Sequence, residues 1–236
     1  MSRDSFTFKQ FVVHQDRCAM KVGTDGTLLG AWAEAGRDGC RILDIGTGTG
    51  LIALMMAQRY PGAKVTAIDI DEAAVSQASD NVARSPFADR IKVMRADVNA
   101  FEPAAVYDAI VCNPPYFSNA LVCPDNQRTQ ARHTLSLSYR QLMAAADRLL
   151  DEEGLFSLII PNDFFQQLES EAHLAGFFAT RIYGVRTVEG KPIKRYLIEL
   201  RKRPQKEFVK KEVLIEDAPN VRSEWYREQT KDFYIK

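Results

Sequence analysis

The residues with the clearest chemical potential are Asn113-Pro114-Pro115-Tyr116, which come directly after the apolar run Ala109–Cys112. The Asn113 side-chain oxygen and the Pro114 carbonyl can both accept hydrogen bonds from an NH2 group. Neither proline donates a backbone N–H and each has a fixed φ, so these acceptors keep their direction. Tyr116 can then stack on a planar group. The motif predicts a clamp for a flat amide or aromatic amine, although a proline-rich strand exit capped by asparagine has the same composition.

A second candidate site lies upstream, where the apolar stretch Arg41–Ile45 runs into a turn that contains Gly46, Gly48 and Gly50. Glycines let the backbone approach a ligand closely. A helix is predicted from Leu51 to about Arg59, and its N-terminus offers unpaired N–H groups to an anion. The spacing differs from the G-x-G-x-x-G of dinucleotide-binding proteins. Asp44, at the end of the strand, would repel a pyrophosphate but suits the ammonium of an amino-acid ligand.

Two further predicted strands also end in an acidic residue. The strand Lys64–Asp69 ends in a carboxylate that can accept hydrogen bonds from both hydroxyls of a ribose. The stretch Ile91–Asp97 ends in a carboxylate well placed to accept from an adenine amine. Strand-end acids are often only caps or solvated turn residues. The ordered set of a glycine turn, three acidic strand ends and an N-P-P-Y motif is far more specific than any one of them.

The order D-I-G-T-G-T-G, A-I-D, R-A-D, N-P-P-Y resembles the class I S-adenosylmethionine-dependent methyltransferases that act on amino groups. The opening stretches Phe6–Phe11 and Asp16–Gly26 are similar to those of the bacterial tRNA1(Val) (adenine(37)-N6)-methyltransferases, and the resemblance extends to about Arg201. It implies S-adenosyl-L-methionine as cofactor. It also implies N6-methylation of an adenine in tRNA, adenine 37 in the anticodon loop of a valine tRNA.

The resemblance and the motifs together assign roles to particular residues. Catalysis is expected from Asn113, Pro114, Pro115 and Tyr116. Cofactor binding is expected from Lys21, Thr24, Asp44, Gly46, Thr47, Gly48, Gly50, Asp69, Ile70, Asp97, Val98 and Asn113. The resemblance places Lys21, Thr24 and Asp25 over the cofactor's amino-acid end, although Thr24 could equally cap the helix that carries Leu28 and Trp32. No metal site is expected, because His14 and Cys18 supply only two potential ligands.

Candidate substrate contacts come from two other segments. Ser118–Ser136 is too long for a simple strand-to-helix connection and is predicted to be a substrate lid. Between Arg181 and Lys211, eleven basic residues face three acidic ones in a chain of zero net charge, which predicts a surface that meets a polyanion. A solvated lysine-rich hairpin would have the same pattern. The substrate-binding candidates are Tyr116, Phe117, Arg128, Arg132, Lys191, Lys194 and Arg195.

The coarse pattern predicts an α/β fold, since apolar strands alternate with helical stretches along the chain. Ser138 and Gln141 form a capping box that opens a helix predicted to end at Gly154. The resemblance implies a three-layer sandwich around a seven-stranded, mostly parallel, Rossmann-like sheet with an antiparallel hairpin at its C-terminal end. A single domain is expected over 1–236, with a cofactor-covering segment at 1–38, a catalytic core at 39–203 and a C-terminal extension at 204–236 whose structure stays open.

Composition agrees with an ordinary cytoplasmic enzyme. The 236 residues are 46% hydrophobic, enough for one substantial core. No signal peptide is recognisable and no segment approaches the roughly 18 apolar residues that span a bilayer. The four cysteines have no C-x-x-C spacing, so reduced thiols are expected. The predicted partner is tRNA, with no membrane and no obligate protein partner.

Other acceptors fit the same clamp. An rRNA guanine N2 or a DNA adenine N6 presents the same amine chemistry, but DNA enzymes usually carry a target-recognition region that is not visible here. A protein glutamine is also a flat amide. The methyltransferases that act on it, however, have a longer N-terminal region, with a helical substrate domain before the glycine turn. A non-catalytic cofactor-binding scaffold is a fourth possibility, and it would not need to keep both the acids and the clamp.

Overall fold

The apolar runs of this chain form strands that are buried on both faces of a central sheet. In β6 (Tyr107–Cys112), Ala109 and Val111 pack into the core on one face, while Ile110 and Cys112 pack into the core on the other. Continuous apolar strands are typical of parallel sheets covered by helices on both sides. The computed structural model, which describes residues 4–17, 21–114 and 137–235, has this three-layer arrangement.

Eight strands form the central sheet: β3 (Arg41–Ile45), β4 (Lys64–Asp69), β5 (Ile91–Arg95), β6, β7 (Leu150–Pro161), β8 (Phe178–Arg186), β9 (Arg195–Arg201) and β10 (Val209–Leu214). Their spatial order is β10-β8-β9-β7-β6-β3-β4-β5. All pair in parallel except β9, which is antiparallel to both β7 and β8. The mostly parallel Rossmann-like sheet and its hairpin are confirmed. The eighth strand, β10, comes from the C-terminal extension and pairs with the hairpin's outer edge.

Helices cover both faces of this sheet. The face that carries α1 (Thr24–Trp32), α2 (Leu51–Arg59) and α3 (Glu72–Ala83) is opposite to that of α4 (Tyr139–Leu149) and α5 (Phe165–Leu174), which follows a 3-10 turn at Asn162–Phe164. The predicted capping box is present, since Ser138 Oγ accepts from Gln141 N at 3.2 Å and Gln141 Oε1 accepts from Ser138 N at 3.0 Å.

The predicted end of this helix at Gly154 is wrong. The helix stops at Leu149, and Gly154 lies inside β7. The physical reason is that Leu150 already pairs with Tyr107 of β6, so β7 begins four residues before the glycine.

The two ends of the chain pack together beside α1. The hairpin of β1 (Ser5–Thr7) and β2 (Val12–His14) places Phe8 against Tyr234, with ring centroids 5.8 Å apart. The C-terminal extension supplies β10, a small hairpin of β11 (Glu216–Ala218) and β12 (Val221–Arg222), and α6 (Glu224–Thr230), which contacts α1. The C-terminal extension therefore supports the helix that begins at the candidate site, and the N-terminal hairpin packs on this extension and on α3. The predicted segment boundaries at residues 38/39 and 203/204 stay a prediction.

Candidate active site

The polar residues singled out in the sequence lie at one edge of the sheet. Because β3, β4, β5 and β6 are parallel neighbours, their carboxyl ends meet there. Asp44 is the fourth residue of β3 and Asp69 is the last of β4, while Asp97 and Asn113 follow β5 and β6. The strand order runs from the Asp97 side through the glycine turn to Asn113. The sheet topology therefore brings these positions, which are ordered along the sequence, to one edge.

A cavity of about 340 Å³ opens at this edge. It unites seven of the predicted site residues: Lys21, Thr24, Gly46, Thr47, Gly48, Asn113 and Arg195. Its wall also contains Asp25, which the resemblance places beside Lys21 and Thr24, and five residues that had no assigned role: Gly23, Gly26, Thr49, Leu51 and Ile52. Thr49, Leu51 and Ile52 lie in or next to the glycine turn, so they could have been predicted as lining residues from their place in the sequence. The ion pair of Asp25 with Arg195 could not be predicted, because the two residues lie far apart in the chain.

The glycine turn leaves open space against the cavity. Gly46, Gly48 and Gly50 have φ values of 70°, 57° and 82°, which favour glycine. A Cβ on Gly50 would lie 3.3 Å from Ala78 Cβ, so this glycine also lets α3 pack closely. A Cβ on Gly46 would meet no protein atom within 4 Å, although Gly46 lines the cavity. The space beside Gly46 therefore fits a ligand held against the backbone, as expected for the cofactor.

Asp44 has an internal role in the turn and does not line the cavity. Its side chain is buried, and Oδ2 accepts hydrogen bonds from Thr47 Oγ1 at 2.6 Å and from Ala53 N at 3.2 Å. The second oxygen, Oδ1, is buried and has no hydrogen-bond partner among the described residues. Burial raises the pKa of Asp44 to about 7. This carboxyl group thus joins the turn to the first helical residues of α2 and keeps one acceptor uncommitted.

The acids after β4 and β5 lie on the far side of the turn from Asn113. Asp69 Oδ2 accepts from Gly48 N at 2.9 Å and Oδ1 accepts from Asp71 N at 3.0 Å, so this carboxylate braces the glycine turn. Asp97 is exposed, and its Oδ1 accepts from Asn99 N at 2.9 Å. Ile70 is an exposed apolar side chain at 41%, whereas Val98 is buried. A flat apolar group could cover Ile70 while both carboxylates keep lone pairs for further donors.

The amine clamp is described only in part. Asn113 is half-buried and lines the cavity, and Pro114 is buried. Pro115, Tyr116, Phe117, Arg128 and Arg132 lie outside the described residues, as does the predicted lid at 118–136. Their assigned roles stay predictions.

The basic stretch divides into paired and exposed residues. Arg181 is largely buried beside Glu199 and lies 2.8 Å from Glu34, while Arg186 pairs with Glu212 at 2.7 Å. Lys202 and Arg203 pair with acids on α4 and β7. Lys191 and Lys194, in contrast, are exposed in the β8–β9 hairpin, which lies at the same sheet edge as Asn113. Much of the positive excess is therefore neutralised within the fold, including Arg195, which pairs with Asp25 in the cavity wall, whereas Lys191 and Lys194 form no ion pair with another described residue.

A larger cavity, of about 430 Å³, lies toward the other end of α1 beside Trp32, Arg181 and Trp225. Its charged groups largely serve the fold: Arg181 is in contact with Glu199 and Glu34 and stacks on Trp32 at 4.2 Å, and Arg59 donates to the carbonyls that end α1. The described residues contain no group of three or more His, Cys, Asp or Glu that could hold a metal ion. None of the described helices is long and apolar enough to cross a membrane.

Comparison with known proteins agrees with this geometry. Residues 25–181 match the family model of the methyltransferase small domain. A tRNA1(Val) (adenine(37)-N6)-methyltransferase from Bacteroides thetaiotaomicron is 48% identical over 100% of this chain and 99% of its own length. One from Serratia proteamaculans is 42% identical over 99% of this chain and 90% of its own.

A crystal structure of a predicted O-methyltransferase from Agrobacterium tumefaciens superposes with a TM-score of 0.68 at 20% identity, covering 89% of this chain and 96% of that one. At this identity the likeness establishes the fold alone. The sequence relatives, in contrast, are similar over essentially their whole length. The chain therefore belongs to the tRNA1(Val) (adenine(37)-N6)-methyltransferase family of S-adenosylmethionine-dependent enzymes.

Proposed function

We propose that this protein transfers a methyl group from S-adenosyl-L-methionine to N6 of an adenine in tRNA, adenine 37 of a valine tRNA. The observation that carries the proposal is the single cavity that joins the glycine turn to Asn113. A donor site and an acceptor clamp that share one cavity suit direct group transfer. The names of full-length relatives at 42% and 48% identity support the nucleotide and the tRNA.

In this proposal the cofactor extends across three strand ends. Gly46, Thr47, Gly48 and Gly50 receive its amino-acid part against the turn, with Asp44 behind them and Lys21 and Thr24 opposite. Asp69 accepts from the ribose, and Asp97, Ile70 and Val98 hold the adenine. When bound, the cofactor supplies an electrophilic methyl group. The protein's own task is to position the two reactants and exclude water.

Asn113 and Pro114 make the acceptor amine reactive. An exocyclic adenine amine is a poor nucleophile because its lone pair is delocalised into the ring. The Asn113 side-chain oxygen and the Pro114 carbonyl accept its two hydrogens and direct the lone pair toward the donor. The amine gains positive charge in the transition state, so the same acceptors bind it more strongly there than in the ground state. This clamp requires no separate general base.

The remaining assigned residues act on the RNA. A base in folded RNA must leave its stack, which costs a few kcal/mol and least in a loop. Stacking on Tyr116, helped by Phe117, can return about 1–3 kcal/mol. Arg128, Arg132, Lys191, Lys194 and Arg195 are the proposed phosphate contacts. The exposure of Lys191 and Lys194 at the sheet edge that carries Asn113 supports this role for the hairpin.

We further propose that the enzyme works in the cytoplasm and needs no obligate protein partner. A tRNA substrate and the free, buried thiols of Cys40 and Cys112 support a reducing compartment.

The test is methyl transfer from labelled S-adenosylmethionine to bulk tRNA that lacks this modification, followed by digestion and nucleoside analysis. We expect N6-methyladenosine with the wild-type protein and none with Asn113→Ala. Label in guanosine would redirect the proposal to an RNA guanine. Label that survives RNase in the protein fraction would redirect it to a glutamine side chain. No transfer to any acceptor by protein that still binds the cofactor would leave only the scaffold.

A further inference from the structure

We infer that Arg195, which forms an ion pair with Asp25, binds a phosphate of the target nucleotide. Both side chains line the cavity that contains Asn113. The inference deepens the function proposed above and rests on it, since it names the part of the RNA that this cavity receives besides the base. It also gives a role to Asp25, which is a positioning residue for the guanidinium.

The backbones of Arg195 and Asp25 are held in place by neighbouring strands and helices. Arg195 is the first residue of β9 and pairs with both Pro161 of β7 and Val185 of β8, and the adjoining Lys194 N donates to Val185 O at 2.9 Å. Asp25 lies in the first turn of α1, where a Cβ on Gly26 would come within 3.1 Å of Leu51. The close approach of α1 to α2 therefore brings Asp25 to a defined place opposite Arg195.

The Arg195–Asp25 contact is an ion pair on the Nε side of the guanidinium. Arg195 Nε lies 2.7 Å from Asp25 Oδ1, and the two side chains are 22% and 21% exposed. Yet Nε is buried and makes no hydrogen bond of good geometry within the described chain. Coulomb attraction needs only proximity, whereas a hydrogen bond needs alignment. Asp25 thus fixes the buried Nε side of the guanidinium, so a phosphate in the cavity would be bound by the two terminal nitrogens.

Other partly buried arginines of this protein, in contrast, donate well-aligned hydrogen bonds to backbone carbonyls. Arg148 donates to Val98 O at 2.8 Å and also to Phe101 O, and Arg90 donates to Ala57 O at 2.9 Å and to Tyr60 O at 3.1 Å. These side chains are satisfied by the fold. A guanidinium in a cavity wall without aligned acceptors is suited to an anion from outside, and its planar fork matches phosphate.

The strand order indicates that this anion belongs to the acceptor and not to the cofactor. From β6, which leads to Asn113, the glycine turn and the strands ending near Asp69 and Asp97 lie in one direction along the sheet. Arg195 lies in the opposite direction, on β9, the second strand beyond β6. An adenine held by Asn113 therefore has the cofactor on one side and Arg195 on the other. The anion attached to a flipped adenosine is its phosphate.

The experiment compares Arg195→Gln with Arg201→Gln, measuring tRNA affinity as a function of salt together with S-adenosylmethionine affinity. Arg201 is a matched control, because it ends the same strand at the opposite sheet edge and donates only to Glu153 O, at 3.2 Å, among the described residues. We expect Arg195→Gln to weaken tRNA binding by about 10- to 100-fold. The slope of log affinity against log salt should fall by about one, while cofactor affinity stays unchanged. Arg201→Gln should change none of these.

Two further variants separate phosphate binding from support of the fold. Arg195→Lys should keep the salt slope, since the charge remains, but should raise the KM for tRNA because the planar fork is lost. Asp25→Asn should keep the slope and raise the KM for tRNA by about two- to fivefold without changing cofactor affinity, because only the positioning of Arg195 is lost.

An unchanged salt slope in Arg195→Gln, with cofactor affinity lowered instead, would overturn the inference and make the pair a brace for α1 or a cofactor contact. A wild-type protein that makes no N6-methyladenosine would refute the proposed function itself. Normal methylation with an unchanged slope in Arg195→Gln would refute only the binding of phosphate by Arg195.

Discussion

Gly46→Ala tests whether the cavity beside the glycine turn holds the cofactor. Gly46 is the first residue after β3, at the carboxyl edge of the sheet, with φ of 70°. Gly39 offers a matched control, because it precedes the same strand at the opposite edge and has φ of 73°. Apart from the adjacent residues of the chain, an added Cβ would meet no protein atom within 4 Å at either position. The two substitutions therefore impose the same backbone strain and differ in the space that the methyl group enters.

The expected magnitudes follow from these two features. Placing an L-residue in the left-handed region costs about 1–2 kcal/mol, so both variants should lose about that much free energy of unfolding. Of the two glycines, only Gly46 lines the cavity that also contains Asn113. A misplaced methyl group in a binding pocket costs about 1–3 kcal/mol, which is roughly a 10- to 200-fold weaker affinity. Gly39→Ala should bind the cofactor as tightly as the wild type.

The assay pairs urea unfolding with calorimetric titration of S-adenosylmethionine into each variant. Urea unfolding measures the loss of stability that backbone strain causes in both variants. Titration measures how much the added methyl group weakens cofactor binding. Affinity in Gly46→Ala within a factor of about three of the wild type would refute the assignment of this cavity to the cofactor. An equal loss of affinity in Gly39→Ala would show that strain in β3, and not occupied space, governs binding.

Three further changes test other parts of the site. Asn113→Ala should lower kcat by at least about 100-fold because a transition-state acceptor is lost, and should lower cofactor affinity much less; an equal fall in both would contradict the clamp. Burial raises the pKa of Asp44 to about 7 from an ordinary value of 3.8, so the folded protein holds a proton that the unfolded chain releases. The wild type should therefore lose stability relative to Asp44→Asn as pH rises from about 4 to 7, by up to about 1.4 kcal/mol per pH unit, and a difference independent of pH in urea unfolding would refute this. Glu199→Ala leaves Arg181 without its more buried partner and should cost about 3 kcal/mol of unfolding free energy, whereas unchanged stability with weaker tRNA binding would assign Arg181 to the RNA.

Local patterns in the sequence were sufficient for much of the fold. Helix α2, strand β4 and the capping box at Ser138 have their predicted bounds, since apolar runs, glycines and caps act over a few residues. The convergence of Asp69, Asp97 and Asn113 at one edge also followed, because parallel strands align their carboxyl ends. The predicted helix end at Gly154 was wrong, because the pairing of Leu150 with Tyr107 ends the helix before this glycine is reached.

The tertiary structure decided which charges are paired and which are available. Sequence reasoning grouped Arg181 with Arg195 in one basic stretch, but Arg181 is neutralised by Glu199 and Glu34 while Arg195 enters the cavity beside Asp25. It also decided that the C-terminal extension adds β10 to the sheet and α6 to the support of α1. These contacts join residues far apart in the chain. They depend on strand order and on the reversed direction of β9, which no local pattern of residue types can specify.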